Sequence, residues 1–191
     1  GRTTVPMRLQ RRFATFSLPA PSEAVLKTIF SSILGGFLND FSPDVKSMCN
    51  GMVEAAIEIY RRMATELLPT PQKSHYVFNL RDLSKCIQGI LSVTASNIRD
   101  PQAMFRLFAH ESQRVFHDRL INHEDKKFFL EILADVSGRF LKINTSYDQM
   151  IENPIIFGSF MNPGLDNEDR VYEDLTDSKD KVQNMLTDYL D

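Results

Sequence analysis

Residues 42–71 read SPDVKSMCNGMVEAAIEIYRRMATELLPTP, and this stretch decides the fold class. Ser42 is a preferred N-cap, and Pro43 suits the first helical position, where its missing N–H removes no hydrogen bond. Val45, Met48, Cys49, Met52, Val53, Ala56, Tyr60, Met63 and Leu67 follow at three- and four-residue spacing, the period of one buried helix face. Pro69 and Pro71 stop the helix.

Working outward, the same signals recur. Upstream, Ser22 opens a helix with Leu26, Ile29, Phe30, Ile33 and Leu34 on one stripe, and Gly35-Gly36 is expected to weaken or end it. Downstream, Asn79 caps a helix that buries Leu83, Ile87, Ile90 and Leu91, with Asp82 in the first turn, where a carboxylate complements the dipole. Asp100-Pro101 starts a fourth helix, through Met104, Phe105, Phe108, Val115, Phe116 and Leu120. Asn122 caps a fifth, through Phe128, Phe129, Ile132, Leu133 and Val136, and Gly138 is expected to close it. Two short apolar stretches, 13–18 and 154–157, read as strands, and 168–190 reads as an acidic, loosely amphipathic helix. The expected fold is mostly α: a helical bundle with short flanking β-strands. Lone strands need a sheet, which suggests a piece of something larger.

Composition agrees with a folded domain. The 191 residues are 42% hydrophobic and 25% charged, enough to bury a core without staples. No apolar run approaches the length of a transmembrane helix, and the arginine-bearing N-terminus lacks the apolar region of a secretory signal. Cys49 and Cys86, beside eight methionines, suggest a reducing compartment. A net charge of -3 argues against a nucleic-acid footprint, so the expectation is no nucleic acid and no membrane. The charge is uneven. Residues 1–16 hold Arg2, Arg8, Arg11 and Arg12 and no acid, while residues 164–191 hold nine acids against three basic residues.

No complete active site is present. His110-Glu111 opens like a zinc-protease helix, but position 114 is Arg, and His110 and His117 lack the partners of a tetrahedral set. The Asp118-Arg119 and Glu111-Arg114 pairs read as helix salt bridges. Both cysteines fall on apolar faces. No nucleophile elbow and no glycine-rich loop ending in Lys-Ser or Lys-Thr occurs. Arg81 is the exception: a guanidinium in the first turn of a helix faces the positive end of the dipole unless an anion joins it.

Tyr76-Val77-Phe78-Asn79-Leu80-Arg81-Asp82-Leu83-Ser84 resembles the sensor stretch in the lid subdomains of dynein heavy chains, the AAA+ motors of cilia and cytoplasm. Three further segments agree in order: Gly1-Arg2 with Pro6 and Arg8 to Phe13, then His110-Glu111 through Arg114 to Leu120, then Pro154 to Gly158. The helix from His110 and the Pro-Ile-Ile-Phe strand look most like the end of the third AAA+ module running into the fourth. The Phe-Asn-Leu-Arg form is similar to axonemal dyneins.

That resemblance implies an organisation: 1–21 as the end of an AAA+ large subdomain, 22–152 as the helical lid, and 153–191 as the strand and acidic helix that begin the next module. It implies Arg81 as the sensor II residue, with Asn79 and Leu80 near the nucleotide, and Arg11 or Arg8 as the arginine finger for the preceding module. It also implies ATP or ADP with Mg in the intact motor and none for the isolated segment, which lacks Walker A, Walker B and sensor I. The expected partners are neighbouring AAA+ modules, with microtubules and other dynein subunits reached through the parent chain, in the cytoplasm and the axoneme of cilia or flagella. The parent would be an ATP-hydrolysing microtubule motor. The reading from a different class is a free-standing helical adaptor that docks a basic partner through its acidic C-terminal segment.

Overall fold

A computed structural model describes residues 4–146, 155–161, 164, 166 and 170–190. Its helices are α1 (Met7–Gln10), α2 (Glu23–Phe37), α3 (Pro43–Ser47), α4 (Cys49–Glu66), α5 (Leu80–Ile90), α6 (Pro101–Ser112), α7 (His123–Val136) and α8 (Lys179–Leu190). The caps fall where the residue types ask for them, except that Asn122 stands at the start of α7 without a side-chain cap bond. Ser22, Ser42 and Asp100 each accept a hydrogen bond from the backbone N–H three residues on, closing one of the orphan donors of a helix start.

The centre of the bundle is α4. It packs against α2 on one side and against α5 and α7 on the others, and α5 packs on α6. Met52, Ile59 and Met63 of α4 are fully buried with Leu34, Leu83, Ile90, Phe108, Phe116 and Phe129 from the helices around it. Gly51 permits the closest approach: a Cβ there would stand 2.5 Å from the Phe140 carbonyl oxygen. Beside this contact, Glu58 accepts from Arg61 and Arg62, and Arg62 reaches Asp135 of α7 at 2.6 Å.

Several boundaries differ from the sequence reading. Gly35-Gly36 does not end α2, which runs to Phe37. The helix expected over 42–67 is broken at Met48 into α3 and α4. Gly138 does not close α7. The chain continues through a π-helical turn, Ser137–Leu141, and stops at Lys142, whose left-handed φ of 56° lets the Ile143 N–H return to the Ser137 carbonyl. A second π turn, Gln113–His117, extends α6.

Residues 13–18 form no strand. No ladder partner lies beside them among the described residues, and Phe13, Phe16 and Leu18 are largely exposed. The C-terminal strand does find a partner. Strand β1 (Phe157–Gly158) pairs antiparallel with β2 (Glu173–Asp174), with Phe157 opposite Asp174. The expected 168–190 helix therefore begins only at Lys179, because Glu173 and Asp174 are spent on this hairpin. Pro154, Glu168 and the Gly1-Arg2 pair lie outside the described residues.

Candidate functional site

The start of α5 is fixed from two directions. Locally, Asn79 Oδ1 accepts from the Arg81 N–H at 2.9 Å, and Asp82 Oδ2 accepts from the Asn79 N–H at 2.9 Å, a reciprocal cap. From a distance, Arg119 Nη2 donates to Asp82 Oδ1 at 2.6 Å. The same guanidinium donates to the Val115 and Val77 carbonyls and lies 5.1 Å over the Phe78 ring. Asp82 is buried, so this pair is shielded from solvent screening more than a surface ion pair is.

The lead-in, 73–78, a turn running into irregular chain, is pinned just as firmly. Tyr76 is buried, and its hydroxyl donates to Asp125 at 2.8 Å while accepting from the Ile121 N–H at 3.0 Å. Lys73 Nζ meets the same Asp125 carboxyl at 2.5 Å. The His75 ring nitrogen lies 3.0 Å from the Arg119 carbonyl oxygen. All of these partners sit on the corner between α6 and α7.

On this pinned corner stand the three residues that the resemblance places near a nucleotide. Leu80 is half-buried against the core, Asn79 is exposed, and Arg81 points into solvent with no side-chain hydrogen bond or ion pair among the described residues. A free guanidinium on a rigid helix start is a ready anion ligand, and the neighbouring carboxyl of Asp82 is already engaged by Arg119. This fits a phosphate contact. The chain itself offers no phosphate loop, and among the described residues no group of three His, Cys, Asp or Glu side chains is placed to hold a metal ion.

The finger candidates are elsewhere. Arg8 lies in the four-residue α1 and Arg11 at its C-cap, with Arg12 next. All three are exposed and make no side-chain hydrogen bond or ion pair among the described residues. Among the described residues no hydrogen bond or ion pair links them to α5.

The residues of α6 have work that the sequence does not reveal. Arg106 pairs with Asp174 at 2.8 Å, and a His110 ring nitrogen lies 3.0 Å from the Ile155 carbonyl oxygen. Glu111 accepts from the Tyr172 hydroxyl at 2.5 Å. Thus Glu111 does not pair with Arg114, and Arg119 does not pair with Asp118: Arg114 takes Asp118 at 2.9 Å and Arg119 takes Asp82. Burial pushes the His110 ring below its usual range, and burial plus the Glu111 contact raise the Tyr172 hydroxyl well above its own. Cys86 is buried, its thiol pushed up to about 12, which makes it inert packing beside Ser112.

The model of the AAA+ lid domain matches residues 52–154, more than half of the chain. The chain belongs to the AAA+ lid domain family. The chain is also similar along its length to dynein heavy chains, as Tyr76 to Ser84 led one to expect. It is 52% identical over 191 residues to dynein axonemal heavy chain 6 of Homo sapiens, covering all of this chain and 5% of that protein. It is 39% identical over 186 residues to dynein axonemal heavy chain 12 of Rattus norvegicus, covering 90% of this chain and 6% of that one. With dynein axonemal heavy chain 1 of Homo sapiens it shares 36% over 204 residues, covering all of this chain and 5% of that protein. The chain thus spans about a twentieth of the length of the curated relatives it matches. None of the helices in the described residues is long and apolar enough to cross a membrane.

Proposed function

We propose that this segment is the nucleotide-sensing lid of an ATP-driven axonemal microtubule motor, placed at the third AAA+ module and running into the fourth. In this reading 22–152 is the lid, 1–21 ends the large subdomain before it, and 153–191 begins the next module. Nucleotide, with magnesium held by other parts of the parent chain, supplies the phosphate oxygens. Arg81 binds and orients them as sensor II, beside Asn79 and Leu80, and Arg11 or Arg8 reaches the nucleotide of the preceding module. The partners are then the neighbouring modules of the same chain, and microtubules and other subunits are met through the parent, in the axoneme of a cilium or flagellum.

The observation that carries this reading is the contrast between Arg81 and its surroundings. At this corner Asp82 is paired with Arg119 and Lys73 with Asp125, while Arg81, on the helix start they fix, has no side-chain partner among the described residues. A cation beside the positive end of α5 invites an anion. The reading as a free-standing adaptor has less behind it, because Glu173 and Asp174 of its acidic segment are used in the hairpin that packs on α6.

The test is Arg81→Ala in the intact heavy chain, scored by ATP-driven microtubule gliding. Loss of coordinated movement with normal folding supports the role. Gliding at the unsubstituted velocity overturns it.

A further inference from the structure

We infer that Gly89 and Glu111 are positioning residues that carry a movement of α5 into the C-terminal hairpin. This rests on the sensor reading only for where the movement starts. The hairpin's apolar anchors are the buried Phe157 and Leu175 with the partly buried Ile155 and Tyr172, and its two-residue strands make a short ladder that is marginal by itself. Polar contacts to the bundle add to this packing. Arg106, His110 and Glu111 of α6 supply them, and Asn97 adds a bond to the Tyr172 carbonyl at 3.1 Å.

Of these, Glu111 also touches the sensor helix. Its carboxyl group lies in the space that a side chain on Gly89 would fill: a Cβ at position 89 would stand 1.9 Å from Oε2 and 2.4 Å from Cδ. The other oxygen, Oε1, accepts the Tyr172 hydroxyl. Glu111 is only 8% exposed, so its carboxyl is held inside the fold between these two contacts. One group is thus wedged between the backbone of α5 and the side chain that pins the hairpin. A shift of α5 at Gly89 moves the carboxyl and, with it, the Tyr172 bond. Gly89 lies eight residues along the same helix from Arg81, so the two move as one rigid element.

The geometry allows a clean test, because the clash at position 89 is with the far end of a flexible side chain and not with backbone. Gly89→Ala should fold, displace the Glu111 carboxyl and loosen the hairpin without touching it. The measurement is hydrogen exchange of peptides covering 171–176 and 52–63 in the intact, nucleotide-free heavy chain. Gly89→Ala, Glu111→Ala and Tyr172→Phe are each expected to speed exchange at 171–176 by roughly fivefold, the worth of one hydrogen bond, with 52–63 unchanged. The double variant Gly89→Ala/Tyr172→Phe should be no faster than either single one. Gly36→Ala is the control, since a Cβ there meets nothing within 4 Å.

Wild-type exchange in Gly89→Ala while Tyr172→Phe is fast overturns the inference and leaves the sensor reading standing. Equal loosening of 52–63 also overturns it, because the effect is then general destabilisation. If Arg81→Ala has no effect on gliding but Gly89→Ala loosens the hairpin, the linkage holds and the sensor reading fails.

Discussion

Arg119 and Asp82 lie 37 residues apart in sequence and 2.6 Å apart in space. The pair joins the last turn beyond α6 to the first turn of α5, and so ties the two most recognisable segments of the chain into one corner. Asp82 serves two masters there: one oxygen caps its own helix through the Asn79 N–H, and the other accepts from Arg119.

Arg119→Ala removes the bond to Asp82, those to the Val77 and Val115 carbonyls, and the contact with Phe78. It leaves the buried Asp82 carboxyl without its cation. The expected loss is about 2–4 kcal/mol of stability. Chemical denaturation should show it, with the earliest hydrogen exchange at 79–83. Arg119→Lys should recover less than half, since an ammonium cannot fork between a carboxylate and carbonyls.

Tyr76→Phe deletes a hydroxyl that both donates to Asp125 and accepts from Ile121, leaving the shape of the ring unchanged. A cost of about 1–2 kcal/mol is expected, read as a lower denaturation midpoint with an unchanged slope.

Gly51→Ala should destabilise by about 1–3 kcal/mol. Here, in contrast to Gly89, the new Cβ meets a backbone oxygen at 2.5 Å, so α4 and the end of α7 must separate. Melting temperature gives the answer directly.

Acid stability should carry the mark of Glu58. Its hydrogen bond to Arg61, opposed by partial burial and aided by Arg62, holds the carboxyl down at about 2 against an ordinary 4.5. A lowered folded-state pKa contributes stability that is fully present above 4.5 and is lost as pH falls from there toward about 2. Glu58→Gln should therefore flatten the pH dependence of unfolding across that window. An unchanged profile would remove the ion-pair network from the account of how α4 holds α7.

Much of this was legible in the residues. Ser22, Ser42, Asn79 and Asp100 announced their helices because capping is a local event. The Asn79-x-x-Asp82 spacing even carried a reciprocal cap, and the dynein-like stretch around it led to the right family. What stayed hidden depends on partners far away in sequence. The two π turns rest on backbone bonds five residues apart that no residue type announces, so Gly138 looked like an end and Lys142 did not. Glu173 and Asp174 looked helical until β1 claimed them, and 13–18 looked like a strand without a sheet to join. Arg119 and Glu111 seemed paired along their own helix, because spacing shows neighbours on one helix and says nothing of Asp82 or Tyr172. Arg8 and Arg11 at α1 and Arg81 in the first turn of α5 are exposed, and their separate roles, at the preceding module's nucleotide and at this one's, are the proposal made above.

The most direct measurement of the central claim is hydrogen exchange at 155–176 in the intact heavy chain, with and without saturating ATP analogue, for the unsubstituted chain and Arg81→Ala. The account predicts a nucleotide-dependent change in the unsubstituted chain that disappears in Arg81→Ala. A hairpin indifferent to nucleotide, or one that responds equally in both chains, would contradict it.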